Sequence, residues 1–518
     1  MSGWRIRSFV AAVCDRRTGA HRAPLQHFVC LLSAVLCLLL AACSKREPAT
    51  PPANQVLRIA QRNEPATLDP QLATLPDEFF IIRALGEGLL VPNPAGGAPL
   101  PGAAEKFEVS ADGLIWTFHL RDATWSNGDP VTAQDFVRSI RRAMNPATAA
   151  PKAQLFSNVR ELVTPAPRTL VVSLKQPAAD FPALVASGPW IPVHRSITEH
   201  SGRAWTESVG NGPFTLSGAV PNQIITVMRN EKYWDAAAGH VPGISFLSFD
   251  SGDTEERAFR AGQVDVTMSV PASKLDSYRT TGPAVLHTVP LHETRYLALN
   301  TTKAPLNDVR VRLALSLSLD RKILVEKVLK GGQQPAFTFV PPGLGGYQPG
   351  VALTENIEEA RRLLASAGFP GGRGFPKLEL STWGASTTVL EAIQQRWRDA
   401  LGIEVTLLQR EARTHLAALA AGDYDIGFAT AIPDYDSPVD LLTRLTTGNA
   451  SNYPHWSRPE FDRLAATGSV QPAEALLLAD LPVIPLYFNA QNFLVSPRVK
   501  NWQTDRLWTR FYRAVSLE

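Results

Sequence analysis

No cysteine follows Cys43. All four cysteines of this 518-residue chain, Cys14, Cys30, Cys37 and Cys43, stand at or before that position. Residues 44–518 therefore have no disulfide, thiolate metal site or catalytic thiol to draw on. They must fold on buried apolar surface and hydrogen bonds alone, and a stretch of that length holds two or three domain-sized units. Just ahead of Cys43, residues 28–42 are apolar or small apart from Ser33. A spanning helix needs roughly 20 such residues, whereas the apolar core of a signal peptide needs about 7–15. Arg5, Arg7, Arg16, Arg17 and Arg22 precede this run against a single Asp15, a positive lead that suits export.

The run Leu40-Ala41-Ala42-Cys43 resembles the lipobox of bacterial lipoproteins. That resemblance implies a signal peptide over residues 1–42, lipidation of Cys43 and a polar, proline-rich tether over 43–55. Without residues 1–42 the formal charge falls from +3 to about −1, because the segment carries five arginines and one aspartate. The basic balance is thus a property of the leader. A near-neutral remainder with no basic tract speaks against a nucleic-acid partner.

Periodicity divides the rest. Leu114, Trp116, Phe118 and Leu120 alternate with Ile115, Thr117, His119 and Arg121, the pattern of a half-buried strand. Thr132 followed by Asp135 reads as a capping box that opens a helix to about Met144. Asn307 is expected to cap a helix over residues 308–319. After residue 300 the order turns to helix 357–367, strand 378–381, helix 388–400, strand 404–408, helix 413–421 and strand 425–428. That rhythm implies a parallel sheet with covering helices.

Catalytic signatures are missing. The chain has no Gly-x-Ser-x-Gly, His-Glu-x-x-His, Ser-x-x-Lys or phosphate-binding Gly-Lys-Ser/Thr loop. His287 and His292 are not spaced for one helical face. The pairs Asp423/Asp425 and Asp434/Asp436 carry the residue type of a glycosidase dyad, but aspartates beside glycine and proline ordinarily serve turns and caps. The expectation is a protein that is not an enzyme, with no cofactor and no metal.

A set of segments in fixed order is more telling. It comprises Ser110-Ala111-Asp112-Gly113-Leu114-Ile115-Trp116-Thr117-Phe118, Trp125-Ser126-Asn127-Gly128-Asp129-Pro130-Val131-Thr132, Gly210-Asn211-Gly212-Pro213-Phe214 and Arg229-Asn230-Glu231-Lys232-Tyr233-Trp234. Phe259-Arg260-Ala261-Gly262-Gln263-Val264-Asp265, Pro305-Leu306-Asn307-Asp308-Val309-Arg310 and Pro482-Val483-Ile484-Pro485-Leu486-Tyr487 continue it. Together these resemble the extracytoplasmic solute-binding proteins of peptide ABC transporters, the oligopeptide- and dipeptide-binding family 5, over nearly all of residues 56–518.

The resemblance implies an α/β, periplasmic-binding-protein-like fold of type II, cluster C, with two hinged main lobes and an extra third lobe. Lobe I is expected at 56–89, 210–295 and 490–518, lobe II at 90–209, and lobe III at 296–489. Hinge strands should pass near Arg295-Tyr296 and Phe488-Asn489. A peptide would lie extended between lobes I and III. The family's amine-binding aspartate matches Asp434 in Pro433-Asp434-Tyr435-Asp436. Because Ser437-Pro438 already supplies a helix N-cap and first position, Asp434 is not needed as the cap. Tyr435, Asn211, Tyr296 and Trp383 are further candidates for ligand contact.

The chain departs from the family at Thr430-Ala431, where Gly-Trp is common. It also has Leu419 and Phe428 where some oligopeptide binders place arginines, which puts a carboxylate clamp in doubt. The implied partners are a peptide, an inner-membrane permease with ATPase subunits, and a membrane held through the lipid. The protein itself is expected to be a monomer in the periplasm or cell envelope. The alternatives are the same fold holding a nickel chelate, haem, sugar or opine, and a ligand-sensing lipoprotein without transport.

Overall fold

Residue Leu57 opens the first strand, Leu57–Gln61, which pairs in parallel with Gly243–Ser248. The antiparallel strands Ile224–Arg229 and Phe214–Val220 complete a four-stranded sheet. The computed structural model describes residues 55–518 apart from 63, 200–208 and 385–386. The expected signal peptide, Cys43 and the tether up to residue 54 lie outside the described residues. Among the described residues no helix is long and apolar enough to cross a membrane.

A second four-stranded antiparallel sheet runs Ala104–Val109, Ile115–Leu120, Thr169–Leu174, Val159–Ala166. Its alternation follows the sequence: Trp116, Phe118 and Leu120 are buried, and Ile115 is exposed. Helix Ala133–Met144 covers it, and the Asp135 carboxylate accepts from the Thr132 N–H at 2.8 Å, as the capping-box reading expects. The glycines of Gly210-Asn211-Gly212 have a steric reason. A Cβ at Gly210 would meet the Leu85 carbonyl oxygen at 2.0 Å, and one at Gly212 would meet the Gly86 nitrogen at 2.6 Å.

The third sheet has six strands in the order Gln334–Pro335, Val483–Leu494, Leu286–Leu299, Ile426–Ala431, Leu378–Trp383, Val405–Arg410. The last three are parallel, as the α/β rhythm predicts. Helix Thr387–Leu401 buries Trp397 completely, and its indole N–H donates to the Leu315 carbonyl at 2.9 Å. Arg321 is also fully buried, and its guanidinium reaches the Pro485 carbonyl at 2.8 Å and Glu355 at 3.0 Å. One cap differs from expectation. The helix Val309–Leu317 is capped by Asp308, whose carboxylate accepts from the Arg310 N–H at 2.8 Å, and not by Asn307.

Leu286–Leu299 and Val483–Leu494 are the two long strands, paired antiparallel along most of their lengths. Their register shifts between Pro290 and Thr294 and again between Arg295 and Tyr296, where Arg295 faces Tyr487. Beside these shifts Glu293 pairs with Arg295 and accepts from Asn489 Nδ2 at 3.1 Å and Trp508 Nε1 at 3.0 Å. Both strands thus run past the residues expected at the hinge.

Candidate ligand cleft

In open sheets with parallel strands, ligands sit beyond the carboxyl ends of the strands. Here Leu378–Trp383 and Ile426–Ala431 end on the same side because they are parallel. The loop after Ala431 is held between that strand end and a helix. Ser437 Oγ accepts from the Val439 N–H at 3.2 Å and Pro438 takes the first helical position of Pro438–Thr443. That cap leaves Asp434 and Tyr435 free to face a cleft. The opposite wall comes from residues 74–83, 151–158 and 175–189, with 507–509 along one side. The cleft, open on one side, has a volume of about 1450 Å³, beyond the roughly 300–1,000 Å³ of small-molecule pockets.

Asp434 sits at the electrostatic centre of this space. Lys152 Nζ reaches Asp434 Oδ1 at 2.7 Å, and Arg444 NH2 reaches Oδ2 at 2.7 Å. Arg444 also holds Asp440 at 2.9 Å, and Asp440 accepts the Asp434 backbone N–H at 2.8 Å. Burial outweighs Arg444 at Asp440, whose carboxyl is held above the usual range. The same two aspartates push the Arg444 guanidinium up against the effect of its burial.

Two more contacts join the walls. Ser437 Oγ donates to Asp180 Oδ2 at 2.6 Å, and the Tyr435 ring packs against the core of the second sheet's region. Burial pushes the Tyr435 phenol up, with Asp180 adding to the effect.

Some polar atoms in the cleft have no partner among the described residues. Arg295 and Thr430 face each other across neighbouring strands, and Arg295 Nε and Thr430 Oγ1 are both without a hydrogen bond. Arg83 donates to the Ala186 carbonyl at 3.4 and 3.5 Å, and its burial lowers the guanidinium pKa from its ordinary value. Among the described residues cations outnumber carboxylates along the walls: Arg83, Lys152, Lys175, Arg295 and Arg444 against Asp180, Asp434 and Asp440.

The five candidate residues divide. Asp434, Tyr435 and Trp383 line the cleft. The Trp383 ring is half-buried, its back tilted against Phe428 and His415 at 5.4 and 5.2 Å between centroids. Tyr296 is buried behind the wall, edge-on to Phe339 at 5.5 Å, and does not line the cleft. Asn211 does not line it either. Its side chain accepts from the Glu87 N–H at 2.9 Å and donates to the Glu87 carbonyl at 2.8 Å, a bond pair that holds two chain segments together. Leu419 and Phe428 are fully buried core residues, so no clamp forms at those positions.

Lys152, Arg83 and Asp180 went unnoticed in the sequence, where no spacing marks them, and Arg295 was read there only as a hinge position. Arg444 could have been found, since it stands one helical turn after Asp440.

The family model of bacterial extracellular solute-binding proteins, family 5, matches residues 98–453. The chain belongs to that family. The family 5 proteins it resembles include the periplasmic murein peptide-binding protein MppA of Escherichia coli, 32% identical over 90% of this chain and 94% of that one. The periplasmic oligopeptide-binding protein OppA of Salmonella typhimurium is 33% identical with the same coverage. The solved structure of the E. coli murein tripeptide-binding protein MppA aligns with a TM-score of 0.80, covering 90% of this chain and 99% of that one. The fold is the type II periplasmic-binding fold of family 5, and the family binds substrates rather than converting them.

Proposed function

We propose that this chain is the lipid-anchored receptor of an ABC importer, which captures extended peptides in the cleft and delivers them to an inner-membrane permease driven by ATPase subunits. Lipidation at Cys43 and the tether over 43–55 would keep the receptor, as a monomer in the periplasm or cell envelope, close to its membrane. Its lobes are those of the sequence division: 56–89 with 210–295 and 490–518, then 90–209, then 296–489. They close about the register shifts of Leu286–Leu299 and Val483–Leu494.

The observation that carries the reading is the cleft itself. A volume of about 1450 Å³ combines an aspartate at one node with two unpartnered donors, Arg295 Nε and Thr430 Oγ1, in its wall. A peptide main chain offers carbonyl acceptors at each residue, so a cleft whose walls carry side-chain donors such as those of Arg295 and Thr430 suits it. Trp383 and Tyr435 present ring surface for side chains. Asp434 has the chemistry to accept a ligand ammonium through charge-assisted bonds, in exchange for the Lys152 ammonium it already holds. Asn211 and Tyr296 hold the walls rather than the ligand. MppA and OppA, peptide-binding proteins by name, support the ligand class.

Native mass spectrometry of the full chain released from detergent micelles tests this directly. A set of masses that sequence as short peptides after denaturation is the expected result. A single non-peptide mass, such as a metal chelate, haem, sugar or opine, would keep the fold and overturn the ligand class.

A further inference from the structure

The ammonium that holds Asp434 belongs to the protein itself. Lys152 lies just ahead of the short 3-10 turn Ala153–Phe156, lines the cleft with Asp434, and brings its ammonium to that carboxylate from a distant segment of the chain. Its Nζ sits 2.7 Å from Asp434 Oδ1 and 5.0 Å from the centre of the Phe79 ring, so a carboxylate and an aromatic face share one cation. Both side chains are mostly withdrawn from solvent, with 18% of Lys152 and 12% of Asp434 exposed. The second carboxylate oxygen is taken by Arg444.

A ligand α-ammonium arriving at Asp434 therefore meets two resident cations. It must expel Lys152 or sit beside it. Expulsion exchanges one charge-assisted bond for another of the same kind, so little is gained. It also releases an unpaired lysine into a wall where cations already outnumber carboxylates. Sitting beside Lys152 places like charges in contact within a partly buried space. A ligand whose amine is acylated or absent meets neither obstacle, because the Lys152–Asp434 pair stays intact.

Resting on the peptide reading of the same cleft, we propose that Lys152 is a specificity-determining residue that occupies the amine subsite as an internal ammonium and removes the advantage of a free N-terminus. The occupants favoured by this arrangement are peptides with a blocked or missing α-amine, held by their main chain and carboxylates. Free-amine peptides enter in competition with Lys152.

The test is a ratio. The full chain in detergent, as wild type and as Lys152→Met, is equilibrated with matched libraries of tri- to pentapeptides, one with free and one with acetylated N-termini. Methionine keeps a flexible apolar stem beside Phe79 without the charge. Wild type is expected to bind the two libraries within about threefold of each other. In Lys152→Met the preference for free amines rises by about 10–100-fold, a change of tenfold being about 1.4 kcal/mol. A purely structural role for Lys152 would weaken both libraries together and leave the ratio unchanged, which overturns the proposal. Lys152→Ala repeats the measurement with a different packing defect, and a ratio that stays flat in both variants has the same consequence. If neither library binds any of the three proteins, the peptide reading itself fails, an outcome distinct from bound peptides with an unmoved ratio.

Discussion

Asp265 and Asp434 are both aspartates clasped by two cations, yet they stand in opposite relations to the molecule. Asp265 pairs with Arg58 at 2.7 Å and Arg498 at 2.8 Å, and also accepts the Arg58 backbone N–H at 2.9 Å. Only 1% of its side chain is exposed, against 12% for Asp434. Its donors are guanidinium forks from segments at the two ends of the described chain, packed against each other, so the cluster is a fixed stitch. Asp434 shares Arg444 with Asp440 on its own side of the cleft and takes Lys152 from the other. Pairing chemistry alone does not separate a structural carboxylate from a binding one. Exchangeability does: a point-charge lysine on a flexible stem across an open space can leave, and two interlocked arginines cannot.

The comparison can be broken at either end. Asp265→Ala, which leaves two arginines without their carboxylate, should cost about 3–5 kcal/mol in urea unfolding of the full chain. A loss under about 1 kcal/mol would remove the distinction, since surface pairs contribute that little.

A pH scan of stability sharpens it next. His292 is buried with neither ring nitrogen bonded among the described residues, and burial followed by the nearby Arg506 pushes it down to about 4. Between its ordinary pH of about 6.5 and 4 the unfolded chain binds more protons at this group than the folded one. Stability should therefore fall as pH drops through that window, by up to about 3 kcal/mol from this histidine. His292→Gln should flatten the slope there, and an unchanged slope would assign the acid sensitivity elsewhere.

At the cleft, Asp434→Asn should cost only about 1–2 kcal/mol of stability, because the polar contact with Arg444 survives. In the Lys152→Met background the same change should abolish the free-amine preference, read by the library ratio. The smallest effect is expected at Ser437. Ser437→Ala removes the Val439 cap and the bond to Asp180, for about 1 kcal/mol in thermal unfolding.

Local grammar was legible where neighbours in sequence are neighbours in space. Thr132 and Asp135, and Ser437 with Pro438, form the helix starts their spacing announced. The alternation at Trp116, Phe118 and Leu120 became a strand with those residues inward. Asn307 misled because Asp308, one place on, has the carboxylate that reaches the Arg310 N–H. Tyr296 and Asn211 stood in the right segments, but their side chains point into the packing behind the cleft. A residue's place beside a hinge does not say which face of the strand it occupies. Lys152 carried no signal at all: a lone lysine between Pro151 and Ala153 looks like any solvated turn residue.

By itself the sequence determined a fold without disulfides, the order of strands and helices, the family, and the loop that presents Asp434. The first two follow from composition, periodicity and short-range capping, which act over a few residues; the family, and Asp434 with it, follow from the ordered segments that resemble family 5 proteins. Only the tertiary structure decided what Asp434 holds. Lys152 and Arg444 converge on it from opposite walls, and Arg295 and Thr430, whose Nε and Oγ1 lack hydrogen bonds among the described residues, meet only when two strands align. Electrostatic contacts of that kind depend on distances between segments far apart in the chain, and no local pattern encodes them.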